Sequence, residues 1–220
     1  MEFNPSKCEA LSVTRKKSPT VYSYTLHDQI LNRVKSTKYL GVTISSDLNW
    51  NKHISNITGK ANQALGFVRR NIITRSHTIK TRAYKALVRP RLEYCSSVWD
   101  PQAKCAIQRL EMVQRRAARF ILRRYHNTSS VSDMLDHLQW PTLAQRRCCT
   151  RLILLYKVTH QLVAIPPNLY INAHPTNTRS NSLAYLPFLC KTNSFKHPQN
   201  SKPVELAART HSLCTICPNL

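Results

Sequence analysis

The period of the hydrophobic pattern changes near Asp47, and this change constrains the fold more than any other feature of the sequence. Before it, apolar and polar side chains alternate in short stretches at residues 8–15, 21–26 and 38–44, which predicts β-strands. After it, apolar residues recur about every 3.6 positions, which predicts helices. The sequence therefore predicts an α+β fold that is mostly α, with a small antiparallel sheet at the N-terminus.

Two helices are predicted directly after the strands. The first runs from about Asn51 to Asn71. The second begins after Ser76, a typical N-cap residue, and should be kinked or divided by Pro90. A single apolar stripe is expected along this second segment, formed by Ile79, Ala83, Leu87, Leu92 and Val98.

Three more helices and a tail complete the predicted architecture. The helices cover about residues 102–124, 131–138 and 142–163. Beyond them, scattered prolines among Asn, Ser and Thr, with no sustained period, predict an extended or disordered tail. The expected division is a small sheet, a helical bundle and a tail, over residues 1–48, 49–165 and 166–220.

The chain is strongly basic. Its 33 Lys and Arg against 10 Asp and Glu give a formal net charge of +23. Twenty of these cations and five of the acids lie in residues 60–157, so +15 of the charge falls on predicted helices and not on a flexible arm. Arginine outnumbers lysine there by fifteen to five, and its planar guanidinium suits paired contacts with phosphate. We therefore expect the chain to bind the backbone of RNA or DNA.

The candidate contacts to nucleic acid are cations of the predicted helices and two residues near the third strand. Any single basic run has a solvated helix face as its alternative interpretation. Tyr39 and Trp50 are candidates for stacking on a base or sugar, with a place in the core as the alternative. The residues expected in the core of the third strand are Leu40, Val42 and Ile44. The predicted binding set is Tyr39, Gly41, Arg69, Arg70, Arg75, Lys80, Arg82, Lys85, Arg115, Arg116, Arg119, Arg123 and Arg124.

The sequence holds no recognisable catalytic motif. There is no P-loop, no His-Glu-x-x-His and no Asp-Asp pair, and only three glycines are present. Asp133 and Asp136 are close in the chain, but they suit the start of a short helix better than a two-metal site. Cys214 and Cys217 have metal-ligand spacing without a second pair, so a tail without a zinc site is favoured. We expect no metal and no cofactor in this chain.

Membrane and secreted proteins are excluded on similar grounds. No run of eighteen apolar residues occurs, so no membrane-spanning helix is predicted. The first residues have neither the basic nor the apolar region of a secretory signal. The eight cysteines are therefore expected as reduced thiols, in a protein of the nucleus or cytoplasm.

Seven segments within about residues 3–165 match one known family in order. They are residues 3–8 (FNPSKC), 38–44 (KYLGVTI), 47–50 (DLNW), 83–95 (AYKALVRPRLEYC), 98–101 (VWDP), 110–121 (LEMVQRRAARFI) and 138–143 (LQWPTL). Together they resemble the end of the palm, the thumb and the connection of reverse transcriptases from non-LTR (LINE-type, jockey-like) retrotransposons.

The resemblance implies a fragment of an RNA-directed DNA polymerase. Lys7 falls where the family has a lysine proposed to help pyrophosphate leave, and the turn at residues 39–41 falls where polymerases hold the primer end. Residues 49–165 would grip the template-primer duplex, with the palm and fingers of the same polymerase as a second partner. The family's magnesium-binding aspartates have no counterpart in this sequence, so the chain alone is expected to be inactive.

Two other functions stay open at this point. One is a non-catalytic protein-interaction module whose apolar faces cover a partner. The other is the product of a decayed retroelement with no selected function. After about His197 the sequence departs from the usual ending of the family, which suggests a frameshift.

Overall fold

The computed structural model describes residues 3–14, 16, 18, 20–126 and 129–166, and the short strands Asn172–Ala173, Ala184–Leu186 and Val204–Glu205. The chain forms two compact units. Unit 1 comprises Met1–Cys95 and Trp99–Val113, and unit 2 comprises Ser96–Val98 and Gln114–Leu220. The fold is α+β and mostly α, as predicted.

Unit 1 begins with a 3₁₀ turn (Pro5–Lys7) followed by short strands joined in pairs. β1 pairs with β4, β2 with β3, and β5 with β6, over Glu9–Ala10 with Asn32–Arg33, Thr25–Leu26 with Gln29–Ile30, and Ser36–Tyr39 with Val42–Ser45. The first pair is parallel and the other two are antiparallel hairpins. The structure thus has three separate strand pairs in place of the single sheet that was predicted. The strands observed within residues 8–15 and 21–26 are shorter than the alternating patterns that predicted them.

A tight turn at Leu40 and Gly41 divides the third predicted strand into β5 and β6. Both residues have positive φ, 44° and 88°, as the central residues of tight hairpin turns do. Leu40, predicted in the core, is instead 72% exposed at the tip, whereas Val42 is buried and Ile44 is half-buried. The single-strand prediction failed because the apolar alternation continues unbroken through the turn.

Helix α1 (Asn51–Asn71) confirms the first predicted helix. Its buried apolar residues are Ile54, Ala61, Leu65 and Val68, which recur with the helical period that predicted this helix. This face packs against β6 and against the helical segment that follows α1. The 3.6-residue period thus identified the buried face of α1 correctly.

The next helical segment changes type in its middle. It consists of α2 (His77–Ala83), a π-helical turn (Tyr84–Val88) and α3 (Arg89–Glu93). Ser76 caps α2 as predicted, since its Oγ accepts a hydrogen bond from the N–H of Ile79 at 3.5 Å. A helix after Ser76 is therefore confirmed, but it is not a uniform α-helix.

Pro90 accounts for this change of type. Its nitrogen carries no hydrogen, so the carbonyl of Ala86 cannot receive the usual bond from four residues ahead. Just before it, the N–H of Arg89 donates to the carbonyl of Tyr84, five residues back, which is the π-helical pattern. The division predicted at Pro90 therefore takes the form of a π turn that ends immediately before the proline.

The π turn also changes which side chains are buried. The residues with at most 2% exposure recur every four positions: Lys80, Tyr84, Val88 and Leu92. The predicted apolar stripe is confirmed at Leu92 but is wrong at Ile79, Leu87 and Val98, which are 50%, 44% and 58% exposed. A π turn adds one residue to the helical repeat, so a 3.6-residue pattern does not follow the buried side chains through this segment.

Three further helices follow, close to their predicted positions. α4 (Lys104–Leu122) runs from unit 1 into unit 2, where α5 (Val131–His137) and α6 (Leu143–Thr159) follow it. Ser130 caps α5, and Thr142 and Gln145 form a capping box at the start of α6. Within unit 2, the buried Gln114 on α4 donates from Nε2 to the carbonyl of Pro141 at 2.9 Å, which holds the loop before α6.

Most of the predicted tail, with Cys214 and Cys217, lies outside the described residues. The described part forms an antiparallel sheet in the order β7, β8, β9 (Asn172–Ala173, Ala184–Leu186 and Val204–Glu205). Across the part of the chain that the structure describes, no helix combines the length and the apolar character needed to cross a bilayer.

Candidate nucleic-acid interface

The tip of the β5–β6 hairpin is attached to the end of α3. The hydroxyl of Tyr94 donates a hydrogen bond to the carbonyl of Leu40 at 2.9 Å. A Cβ added to Gly41 would lie 3.2 Å from Cε1 of the same tyrosine ring, and the φ of Gly41 is +88°. Position 41 therefore requires glycine both for its backbone conformation and for the approach of Tyr94.

A second attachment ties β6 of the hairpin to α1. Nδ1 of the buried His53 accepts a hydrogen bond from the N–H of Thr43 at 3.2 Å. Burial lowers the pKa of His53, and the charge of Lys60 lowers it further. The ring is therefore neutral, as this contact requires, because only an unprotonated Nδ1 accepts a hydrogen bond.

Trp99 connects the two attachments. Its ring is fully buried and meets His53 edge-on, with 5.1 Å between the ring centroids and 63° between the planes. Its indole Nε1–H donates to the carbonyl of Tyr94 at 2.7 Å. One connected set of contacts thus holds both the tip of the hairpin and its strand β6.

An open groove of about 400 Å³ lies beside the hairpin tip. Its lining combines apolar side chains with two cations: Gly41, Ile57, Lys60, Ala86, Leu87, Pro90, Arg91 and Tyr94. Nε of Arg91 donates to the carbonyl of Leu87 at 3.1 Å, which orients the guanidinium. Sequence reasoning missed Lys60, Arg91 and Tyr94 as site residues, since Tyr94 meets a residue 54 positions earlier and no local pattern signals that contact.

Helices α1 and α2, with all of α3 except its last residue, come from a stretch without acidic residues. Between Asp47 and Glu93 the sequence has no Asp or Glu. The ten Lys and Arg of this stretch are Lys52, Lys60, Arg69, Arg70, Arg75, Lys80, Arg82, Lys85, Arg89 and Arg91. Arg89 pairs with Glu93 at the end of the stretch, with 3.7 Å between Nε and Oε2. Helices α1 and α2 thus contain no carboxylate to balance their positive charge, and α3 contains only Glu93 at its end.

Unit 1 holds eight residues of the predicted binding set, and seven of them are exposed: Tyr39, Gly41, Arg69, Arg70, Arg75, Arg82 and Lys85. Lys80 is a correction, because it is 2% exposed and its ammonium cannot meet a phosphate at the surface. Tyr39 is 63% exposed beside the hairpin tip and is not a core aromatic, whereas Trp50 is half-buried.

The other five residues of the set lie in unit 2. Arg115, Arg116 and Arg119 are on α4, at spacings of three and four that place them on one side of the helix. Arg119 is half-buried and the other two are exposed, as are Arg123 and Arg124 just beyond the helix.

The candidate catalytic residue Lys7 lies in the 3₁₀ turn at the start of unit 1. Lys7 is exposed in the 3₁₀ turn, where its N–H donates to the carbonyl of Asn4 at 3.1 Å, and its proposed role stays a prediction. Among the described residues, no group of three or more His, Cys, Asp or Glu side chains is placed to hold a metal ion. These residues therefore do not fit a magnesium site.

Comparison with known proteins adds one partial similarity. Over 126 residues the chain is 29% identical to the probable RNA-directed DNA polymerase from transposon BS of Drosophila melanogaster. The match covers 55% of this chain and 14% of the relative, so the chain spans a small part of that polymerase. No family model and no solved structure matches the sequence. The similarity supports a relationship to reverse transcriptases.

Proposed function

We propose that this chain is the nucleic-acid-gripping part of a non-LTR, jockey-like retrotransposon reverse transcriptase, from the end of the palm through the thumb and connection. The acid-free stretch between Asp47 and Glu93 is the observation that carries the proposal. It folds into α1, α2 and most of α3 of one unit, and most of its cations are exposed. A surface of this kind is relieved of its self-repulsion by a polyanion.

The residues of the predicted set other than the buried Lys80 divide into two roles. The hairpin tip, with Tyr39 and Gly41, contacts the primer end, where its position depends on Tyr94. The helix cations contact phosphates of the template-primer duplex: Arg69, Arg70, Arg75, Arg82, Lys85, Arg115, Arg116, Arg119, Arg123 and Arg124. These contacts are to backbone and carry no sequence information, so binding should be general.

Chemistry is assigned to another part of the polymerase. Two-metal phosphoryl transfer needs carboxylates that converge on the cations, and the described residues offer none. We therefore propose that this chain alone binds an RNA–DNA hybrid without extending the primer.

Binding to an RNA–DNA hybrid across a salt series tests the proposal. We expect log affinity to fall linearly with log salt, with a slope of about 0.9 per phosphate contact. Replacing Arg82 and Lys85 with Gln should lower the slope by about two. Arg33→Gln, an exposed arginine on β4 outside the acid-free stretch, is the matched control and should leave the slope unchanged. Affinity that stays flat with salt would reject the proposal.

A protein-interaction role is a second candidate, favoured by the β2–β3 region. Val21, Tyr22 and Ile30 are 73%, 67% and 74% exposed there. Tyr22 packs edge-on against Tyr24 with 5.1 Å between ring centroids, so the two rings form one exposed aromatic surface. Calorimetric titration with the separately expressed palm and fingers of the related polymerase tests this role. If the role is correct, the wild-type chain binds them and the double variant Tyr22→Ser, Ile30→Ser does not.

A further inference from the structure

The turn between α1 and α2 presents an unusually exposed apolar side chain. Ile73 is 83% exposed, more than any other large hydrophobic side chain in the described residues. Exposure alternates along the turn, with Ile72 and Thr74 half-buried and Ile73 and Arg75 exposed. Ile73 and Arg75 are therefore both exposed to solvent in the turn.

Hydrogen bonds hold this turn at both ends. The N–H of Ile72 donates to the carbonyl of Val68 at 2.9 Å, which closes the end of α1. The N–H of Ser76 donates to Oγ1 of Thr74 at 3.2 Å, just before α2 begins. The outward position of Ile73 is thus set by an ordered turn before any partner binds, so little conformational entropy is lost on binding.

The surroundings of Ile73 indicate what covers it. Arg70 lies three residues before it and Arg75 two after it; both are exposed, and no acid occurs from residue 48 to 92. A single exposed isoleucine needs no explanation on an ordinary surface. Here it stands among unbalanced cations, and a nucleic-acid duplex complements both features because its phosphates are outside and its stacked bases are inside.

We infer that Ile73 is a wedge that enters a base step of the bound duplex from the minor groove, while Arg70 and Arg75 hold the flanking phosphates. Apolar wedges of this kind partly unstack a step and bend the duplex. The inference rests on the proposed function, because the wedge acts on a duplex that the cations already hold. It adds that this chain deforms its duplex and does not only grip it.

Duplexes carrying 2-aminopurine, whose fluorescence rises when the base is unstacked, test the wedge with the full chain. Wild type should raise the fluorescence at a step within the bound site. Ile73→Ser should abolish that rise and weaken binding about tenfold, since an isoleucine that leaves the base step returns to water. Its salt slope should stay that of wild type, whereas Arg75→Gln should lower the slope by about one.

Ile30→Ser is the matched control, because Ile30 is also an isoleucine and is 74% exposed on β3. It should behave as wild type in both measurements. Equal fluorescence for wild type and Ile73→Ser, with salt-dependent binding retained, overturns the wedge and leaves the proposed function standing. An equal loss of fluorescence and affinity in Ile30→Ser overturns the wedge as well, because any exposed apolar side chain would then have the same effect. Absence of salt-dependent binding by wild type overturns both proposals.

Discussion

Helix α1 and residues 77–93 pack together in unit 1, yet their buried side chains repeat differently. In α1 the buried apolar residues fall at mixed spacings of three, four and seven, as in Ile54, Ala61, Leu65 and Val68. In residues 77–93 they recur every four positions, through a π turn that precedes Pro90. The difference teaches that one interruption of the backbone pattern decides which face of a helix is inside, even where the hydrophobic residues suggest another face.

The two regions also hold the β5–β6 hairpin in different ways. α1 contacts strand β6 through the buried ring of His53, and the residue after α3 contacts the tip of the hairpin through the exposed Tyr94. The first contact depends on a protonation state and the second on a hydroxyl group at the surface. Disturbing them separately shows how much each region contributes to the position of the hairpin.

The largest expected effect tests the four-residue repeat. Leu92→Ala should lower the free energy of unfolding by about 3 kcal/mol, because Leu92 is fully buried. Leu87→Ala, at the other leucine of the predicted stripe, should change it by at most about 0.5 kcal/mol, because Leu87 is 44% exposed. Urea unfolding of both variants measures this, with Ile54→Ala in α1 expected to match Leu92→Ala. Equal losses for Leu87 and Leu92 would show that the π turn does not select the buried face.

A pair of glycine substitutions should change stability in opposite directions. Gly41→Ala should cost about 1–2 kcal/mol, since its φ of +88° disfavours a side chain and the added Cβ meets Tyr94 at 3.2 Å. Gly59→Ala in α1 should stabilise the protein by about 0.5–1 kcal/mol, because open space surrounds the new methyl group and alanine favours the helix. Thermal unfolding of the two variants and the wild type measures whether each substitution raises or lowers stability. A stabilised Gly41→Ala variant would contradict the attachment of the hairpin tip.

Acid should weaken the attachment through α1. The pKa of His53 lies below its usual 6.5 in the folded state because the ring is buried, so the unfolded state binds more protons in mildly acidic solution. Stability from this contact is complete above about pH 6.5 and falls as the pH drops toward the folded pKa, by at most about 1.4 kcal/mol per pH unit. Urea unfolding at several pH values should show this loss in wild type and not in His53→Gln. Identical pH dependence in the two proteins would exclude it.

The smallest effect is expected at the attachment through Tyr94. Tyr94→Phe keeps the ring on Gly41 and removes only the hydrogen bond to the Leu40 carbonyl. The Tm should fall by about 2 °C, since a single exposed hydrogen bond contributes little to stability. Tyr39→Phe is the matched control on the hairpin and should leave the Tm unchanged. A loss larger than that of Gly41→Ala would place the main attachment at the hydroxyl.

Much of the secondary structure was predictable because its signals are local. Ser76, Ser130 and Thr142 each cap a helix with the residues that follow them, and these contacts reach only three positions along the chain. The predicted bounds of α1 and α4 lie close to the observed ones because the helical period is also a local signal. The alternating pattern does not mark the turn at Leu40 and Gly41, which only the resemblance to reverse transcriptases predicted.

The candidate site was predictable as a set of cations but not as a geometry. Charge belongs to the residue, so the excess of arginine between Asp47 and Glu93 follows from the sequence. Exposure does not, and Lys80 is buried because the π turn places it in the four-residue row with Tyr84 and Val88.

The sequence by itself determined the order of the elements, the caps of the helices and the sign and position of the charge. Only the tertiary structure decided that Tyr94 meets Leu40 across 54 positions and that His53 meets Thr43. These contacts depend on how separate elements pack, and packing selects among faces that local patterns leave equivalent. The groove beside the hairpin and the outward Ile73 follow from that packing.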